Sequence, residues 1–414
     1  MLHLRHAALP AALSGTRSMG IDHHLNVRGV AIPPFYAGQI GAQAAERARQ
    51  GLEVIPMHFG QPSEGASPAA LSAARAHLEG RLGGQAGYWE SAALRERIAQ
   101  HYREQHEVDL APERVLLTTG ASAGLVATFT ALFAAGDRVA LARPGYPAYR
   151  NALRALGRVP VEIDCGPEHG FRLAPELLPS SSEPLHGLLV ASPANPTGAV
   201  LDGPELSALA AECRRRGTRL VSDEIYHGIE YGRRGVTALQ FEPEALVINS
   251  FSKLFRMPGW RIGWLVAPES CVASLHSHLI NFFLTPPAIA QHAALAAFDD
   301  LALLRRSVET YAANRARLLE ALPTMGVPEI APPDGAFYFY VDVSELTVDS
   351  LGFCKELLHD TGIAAAPGID FDPVLGNAFV RFSFAISERE VDRAIALLGP
   401  WLARRRQQMP VNAR

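Results

Sequence analysis

Lysine is almost missing from this chain. Of 38 basic residues in 414, only Lys253 and Lys355 are lysines, and arginine supplies the rest. Arginine serves wherever charge alone is needed, so a retained lysine points to chemistry arginine does poorly: losing a proton and forming a Schiff base. Other scarcities exclude whole classes. No apolar run reaches the roughly 18 residues of a membrane span. Positive charge is not in excess, with 38 Lys+Arg against 42 Asp+Glu and a net charge of -4, so nothing is spare to neutralise a nucleic-acid backbone. The 4 cysteines, Cys165, Cys213, Cys271 and Cys354, lie far apart without metal-type spacing. They read as reduced thiols of a cytoplasmic protein, and no metal site is expected. Charged residues make up 19% and apolar ones 48%, a globular balance.

Between residues 112 and 266, short β-branched runs alternate with amphipathic stretches. Strands are expected at 115–118, 138–142, 160–163, 188–191, 220–222, 246–249 and 262–266, and helices at 123–135, 148–156 and 204–216. Such alternation implies βαβ units with right-handed crossovers and a mostly parallel sheet. The fold class is therefore α/β: a large domain with a mostly parallel seven-stranded sheet flanked by helices, plus a smaller α/β C-terminal domain. In the latter, a long helix is expected at 290–321, strands at 337–342 and 379–384, and a helix at 387–403. The expected division is an N-terminal extension over 1–30, an arm and part of the small domain over 31–60, the large domain over 61–291, the small domain over 292–403 and a tail over 404–414. Residues 1–21 contain no acidic residue and are expected to be a disordered extension, unless translation starts at Met19. Ligands of open parallel sheets bind beyond the carboxyl ends of the strands.

One motif there admits three readings. Gly120-Ala121-Ser122-Ala123-Gly124 follows an expected strand and opens a helix. Ser122 in G-x-S-x-G is placed as a hydrolase nucleophile is. Alternatively, Ala121 and Ser122 form a helix N-terminus that holds a phosphate through N–H groups and a hydroxyl. The third reading is a small-residue turn without a ligand. Against the hydrolase, the nearest thing to an oxyanion loop upstream is Gly83-Gly84, and no downstream histidine has a distinguishing context.

The other motifs fall in one order along the chain. They are Gly60-Gln61-Pro62, Gly87-Tyr88-Trp89, Pro144-Gly145-Tyr146-Pro147-Ala148-Tyr149, Asn195-Pro196-Thr197-Gly198, Ser222-Asp223-Glu224-Ile225-Tyr226, Ser250-Phe251-Ser252-Lys253, Met257-Pro258-Gly259-Trp260-Arg261 and Phe379-Val380-Arg381-Phe382-Ser383. Each has a plain reading. Asp223 after a strand could cap a helix, Tyr146 could be core, Asn195 could sit in a proline turn, and Arg381 could form a structural ion pair. Together, over residues 30 to 400, they resemble the class I/II pyridoxal-phosphate-dependent aminotransferases of fold type I, the aspartate aminotransferase-like group.

The resemblance implies a pyridoxal 5'-phosphate cofactor and a role for each matched residue. Lys253 holds the cofactor and moves the proton. Asp223 partners the pyridine nitrogen and keeps the ring an electron sink, Tyr226 and Asn195 share its O3′, and Tyr146 stacks on its face. Gly120, Ala121, Ser122, Ser250 and Arg261 hold the phosphate, with Tyr88 reaching the neighbouring subunit's phosphate. Gly60, Asn195 and Arg381 bind substrate, Arg381 as a fork for the α-carboxylate. The stretch after Tyr88 is shorter than in many relatives. The resemblance further implies a homodimer with shared active sites, acting on an amino acid and a 2-oxo acid. A lyase, racemase or cyclase on the same fold, or a non-catalytic binding module, remain alternatives. Residues 281–291 carry no arginine for a distal carboxylate, which points to neutral or aromatic donors, and Pro33-Pro34-Phe35-Tyr36 is expected to add an apolar wall.

Overall fold

The computed structural model describes residues 29–80, 90–180, 184–327 and 330–408. Tyr88 and the expectations for residues 1–28 lie outside the described residues. The chain divides after Ala31, and Ile32–Arg414 forms one body.

That body opens with α1 (Tyr36–Arg49), β1 (Ile55–Pro56), α2 (Pro68–Leu78) and α3 (Ala92–His106). Then come β2 (Val115–Thr118), α4 (Ala121–Leu132), β3 (Arg138–Arg143), α5 (Pro147–Ala155), β4 (Val159–Asp164), β5 (Gly187–Ala191), α6 (Gly203–Arg216), β6 (Arg219–Asp223), β7 (Leu246–Ser250) and β8 (Gly263–Val266). These seven strands form one sheet in the order β2-β8-β7-β6-β5-β3-β4. Neighbouring pairs are parallel from β4 across to β7, and β8 runs antiparallel to both β7 and β2. The chain continues through α7 (Glu269–Phe283), α8 (Ala288–Ala297), α9 (Leu301–Thr324), β9 (Tyr338–Asp342), α10 (Ser350–Thr361), β10 (Ile363–Ala364), β11 (Ala366–Pro367), β12 (Phe379–Ser383) and α11 (Glu388–Gln408). A separate antiparallel sheet has the order β11-β12-β9, and β1 pairs with β10 in parallel.

The expected strands of the large sheet are all present. Their apolar runs are near-continuous because both faces are covered. Leu117, Leu188, Val190, Leu220, Val247 and Trp264 pack on one face. Leu116, Leu189, Val221, Leu246, Ile248 and Leu265 pack on the other, against Phe129 of α4 and Leu275 of α7. Successive residues alternate between the two clusters, as the two-residue period of a strand requires.

Three helices depart from expectation. The long helix expected at 290–321 is broken at Phe298–Asp300 into α8 and α9. The cause is tertiary: the Phe298 ring packs 4.9 Å from Phe255 and 5.6 Å from Phe251, while Asp300 accepts a hydrogen bond from Ala69 N at 2.8 Å. α4 begins at Ala121 rather than 123, because Gly120 turns the chain with φ 77°. α11 runs on to Gln408, past the expected end at 403. Its last turn is tied down by Arg405 to Leu346 O (3.2 Å) and Arg406 to Met325 O (2.7 Å).

Candidate active site

The ends of β2, β3, β5, β6 and β7 and the entry to β8 meet at one edge of the large sheet, around a cavity of about 250 Å³. Because β8 alone runs backwards, the residues that precede it arrive at the edge where the other strands end.

Asp223 ends β6 and is 3% exposed. Its Oδ2 accepts from Tyr149 Oη at 2.7 Å and its Oδ1 from Ile225 N at 3.1 Å. Burial raises its pKa, while those two bonds and the charge of Lys253 pull it down. No helix starts after it, so the cap reading fails. Lys253 lies in the turn after β7, and its Nζ donates to Gly60 O at 2.5 Å. Burial first, then the charge of Arg381, lowers its pKa to about 8, with Asp223 opposing. This is not a solvated surface lysine.

Arg381 sits in the middle of β12 and is 2% exposed. Its Nη1 donates to Asn195 Oδ1 at 2.8 Å and its Nη2 to His58 O at 2.6 Å, while Nε has no partner. The guanidinium is sandwiched between the rings of Tyr338 (4.4 Å) and Phe371 (4.6 Å). Among the described residues no carboxylate lies at ion-pair distance from it; the Asp370 carboxylate, which feels its charge, is bonded to the start of α1.

Tyr226 shares a 2.5 Å hydrogen bond with Tyr338, Oη to Oη. A Cβ on Gly60 would lie 1.8 Å from that Tyr338 oxygen, so only glycine fits there. Tyr146 lines the cavity from the end of β3, edge-on to Tyr149 at 5.3 Å.

The other end of the cavity suits an anion. A Cβ on Gly120 would lie 2.3 Å from Arg261 Nη2, so the bare glycine lets the guanidinium lie over the start of α4. No side chain caps that helix, and Ala121 and Ser122 of its first turn line the cavity. A helix N-terminus beside an arginine attracts phosphate. Ser250 differs from the expectation of a phosphate contact in its present bonding. Its hydroxyl donates to Ile262 O at 3.0 Å and accepts from Ser252 N at 3.1 Å. Ser252, not singled out in the sequence, lines the cavity instead. Among the described residues lining the cavity with Ser122 there is no histidine, so the serine–histidine pairing of a hydrolase is not found there. Tyr149 and Tyr338 were also missed. The signals were Tyr149's place three residues after Tyr146, and the tyrosine of Gly335-Ala336-Phe337-Tyr338.

A lysine with a lowered pKa, a buried carboxylate and an anion cradle at the carboxyl edge of such a sheet define a pyridoxal-phosphate enzyme of the α/β type. The chain belongs to the class I and II aminotransferases: the model of that family, Aminotransferase class I and II, matches residues 53–398. The chain is 44% identical over 375 residues to valine–pyruvate aminotransferase of Mycobacterium tuberculosis, covering 90% of this chain and 97% of that one. It is 33% identical over 380 residues to aspartate/prephenate aminotransferase of Thermus thermophilus, covering 90% and 97%. Among solved structures, an aminotransferase from Mycobacterium tuberculosis matches with a TM-score of 0.87 at 44% identity, over 90% of this chain and 98% of that one. Aspartate aminotransferase from Thermus thermophilus with maleate matches with 0.82 at 31%, over 90% and 99%. The protein is thus a pyridoxal-phosphate-dependent transaminase, moving an amino group from an amino acid to a 2-oxo acid. No helix among the described residues is long and apolar enough to cross a membrane.

Proposed function

We propose that Lys253, Asp223, Asn195, Tyr226, Arg261 and Arg381 carry this transamination, each with a separate task. The observation that supports this most is that all six line one cavity. Bound there, pyridoxal phosphate supplies an electron-accepting ring and a carbonyl that a primary amine can attack. Asp223, buried and negative, suits the pyridine nitrogen. Tyr226 and Asn195 offer donors to the ring oxygen, and Tyr146 an aromatic face. Arg261 and the first turn of α4, with Ser122 and Ser252, hold the phosphate, and Ser250 supports Ser252 by accepting from its N–H. Arg381 binds the substrate α-carboxylate with its guanidinium, whose buried Nε has no other partner. Lys253 Nζ, with a pKa of about 8, is unprotonated often enough near neutrality to take the proton from the substrate Cα and to return it. Gly60 O keeps Nζ aimed into the cavity.

The donor is proposed to carry a neutral side chain. The only cations lining the cavity among the described residues are Lys253, Arg261 and Arg381, and each has another task. The relative named for valine and pyruvate fits this. The enzyme is further proposed to act as a cytoplasmic homodimer. In support, Phe282 and Leu284 at the end of α7 are about half exposed, and the cysteines among the described residues are free. Tyr88 is proposed to reach the partner's phosphate.

Borohydride reduction tests the central assignment. It should fix the yellow cofactor to the peptide that contains Lys253, and Lys253→Arg should abolish both label and turnover. A label elsewhere, or wild-type turnover by that variant, would overturn it. Activity recovered on mixing inactive Tyr88→Ala and Lys253→Ala subunits would support the shared site; none despite proven subunit exchange would refute it.

A further inference from the structure

The start of α1 is held by a carboxylate from the far end of the chain. Tyr36 N donates to Asp370 Oδ1 at 2.8 Å and Ala37 N to Asp370 Oδ2 at 2.7 Å. The first turn of α1 has no acidic residue and its N-cap, Phe35, makes no side-chain cap. Asp370 therefore supplies both the missing hydrogen-bond acceptors and the negative charge that the helix end favours.

The carboxylate is itself built in. Asp370 is 3% exposed, and its carbonyl accepts from Arg150 Nη2 at 2.5 Å. The next carbonyl, of Phe371, accepts from Arg150 Nη1 at 3.2 Å and from Gly145 N at 3.1 Å. The Phe371 ring is fully buried and lies against the Arg381 guanidinium. An unbroken set of contacts thus runs from Arg381 through Phe371 and Asp370 to the arm that begins α1.

That arm meets the cavity at its mouth. Phe35 lines the cavity, and with Ile32 and Pro33 it continues as an apolar groove along Leu125, Val126 and Tyr146. With Arg381 on the α-carboxylate, the donor side chain is the part of the substrate left to face an apolar surface.

We propose that Asp370 is a positioning residue: it latches the N-terminal arm so that Phe35 closes over the donor side chain and selects long apolar side chains over short ones. The inference rests on the transaminase reading and on Arg381 as the carboxylate site.

The test compares leucine and alanine as donors, with the cofactor-loaded protein. In Asp370→Ala the ratio of kcat/KM for leucine to that for alanine should fall at least about tenfold, chiefly through KM for leucine, with unchanged cofactor absorbance. Phe35→Ala should lower the same ratio. The double variant should fall little further, because both changes release one contact. Equal loss on both donors, an unmoved ratio, or multiplied effects would overturn the latch. So would a Phe35→Ala protein with an unmoved ratio but weakened dimer association, since the groove would then seat a second copy. If Asp370→Ala does not fold, Asp370→Asn keeps one acceptor, loses the other and the charge, and should show a smaller fall; an unmoved ratio there would refute the latch. Wild-type protein inert to every amino acid would fail the transaminase reading itself; wild-type turnover with an unmoved ratio fails only the latch.

Discussion

The hydroxyl of Tyr149 donates to Oδ2 of Asp223 across 2.7 Å, with both groups buried. Burial disfavours a charge on Asp223, and the Tyr149 hydrogen bond, the Ile225 N–H and the charge of Lys253 favour it. The tyrosine reaches the cofactor's proposed partner from behind.

Tyr149→Phe should therefore raise the pKa of Asp223, since the lost hydrogen bond favoured the carboxylate. The acid limb of the kcat/KM profile should move to higher pH. Cofactor affinity should fall by about 1–3 kcal/mol, the cost of a lost bond to a charged group. An unmoved acid limb and unchanged cofactor dissociation would show that Asp223 does not depend on this tyrosine.

Arg381→Ala should lower kcat/KM for amino acids by about 30- to 3,000-fold, as expected for one member of a desolvated charged pair. Amines without a carboxylate should lose far less, and cofactor absorbance should stay. The same change removes a positive charge that helps hold Lys253 at about 8. The rise of the single-turnover rate with pH, which tracks unprotonated Nζ, should shift upward. Equal losses for amines and amino acids would make Arg381 structural.

Gly60→Ala should inactivate the enzyme, because the new methyl meets the Tyr338 hydroxyl. Tyr338→Phe in the same chain should recover part of the activity. Recovery is partial because the ring carbon behind the hydroxyl would still be 2.8 Å from the methyl. No recovery in a folded, cofactor-loaded double variant would place the damage elsewhere, at the Gly60 carbonyl that holds Lys253.

Acid should unfold the protein early. Burial is the leading cause that lowers the pKa of His58 to about 4, His101 to about 3, His106 to about 4 and His227 well below the ordinary 6.5. His106 and His227 rings lie 5.1 Å apart, and Arg97, Arg234 and Arg305 add repulsion to this cluster. Between about 4 and 6.5 the unfolded chain binds more protons at these histidines, so stability falls as pH falls through that window. Glu224 and Glu230, raised by burial to about 8 and about 7, act oppositely above 4.5, as two groups against the four histidines, and Asp223 and Asp370 are also raised by burial. Urea midpoints at pH 7 and pH 5 should differ clearly, and His101→Leu should narrow the gap. A flat midpoint over that range would contradict the buried neutral histidines.

How much was legible follows from how local each feature is. The strands of the large sheet declare themselves because each is a short apolar run bounded by turn residues. Lys253, Asp223, Asn195 and Arg261 are legible because the chain turns sharply at strand ends and leaves recognisable motifs there. Tyr338 is not, because its place depends on Tyr226 and Gly60, both distant in sequence. The break at Phe298–Asp300 is hidden for the same reason: the residues are good helix formers until Phe251 and Ala69 make their claims. Ser250 and Ser252 are both serines in one motif, and the Ser250 bonds to Ile262 and Ser252, with Ser252 lining the cavity, distinguish their present roles.

The edge strand β2 has one partner in the large sheet, β8, with Val115 opposite Val266 and Thr118 opposite Gly263. As the chain leaves the ribosome, β2 must therefore wait with its ladder unpaired while β3 to β7 are made. The proposed phosphate cradle, which joins Gly120 after β2 to Arg261 before β8, closes at the same moment. If that cradle captures the cofactor, capture reports on completion of the sheet, and a nascent chain released before β8 emerges would carry both an open strand edge and half a cradle.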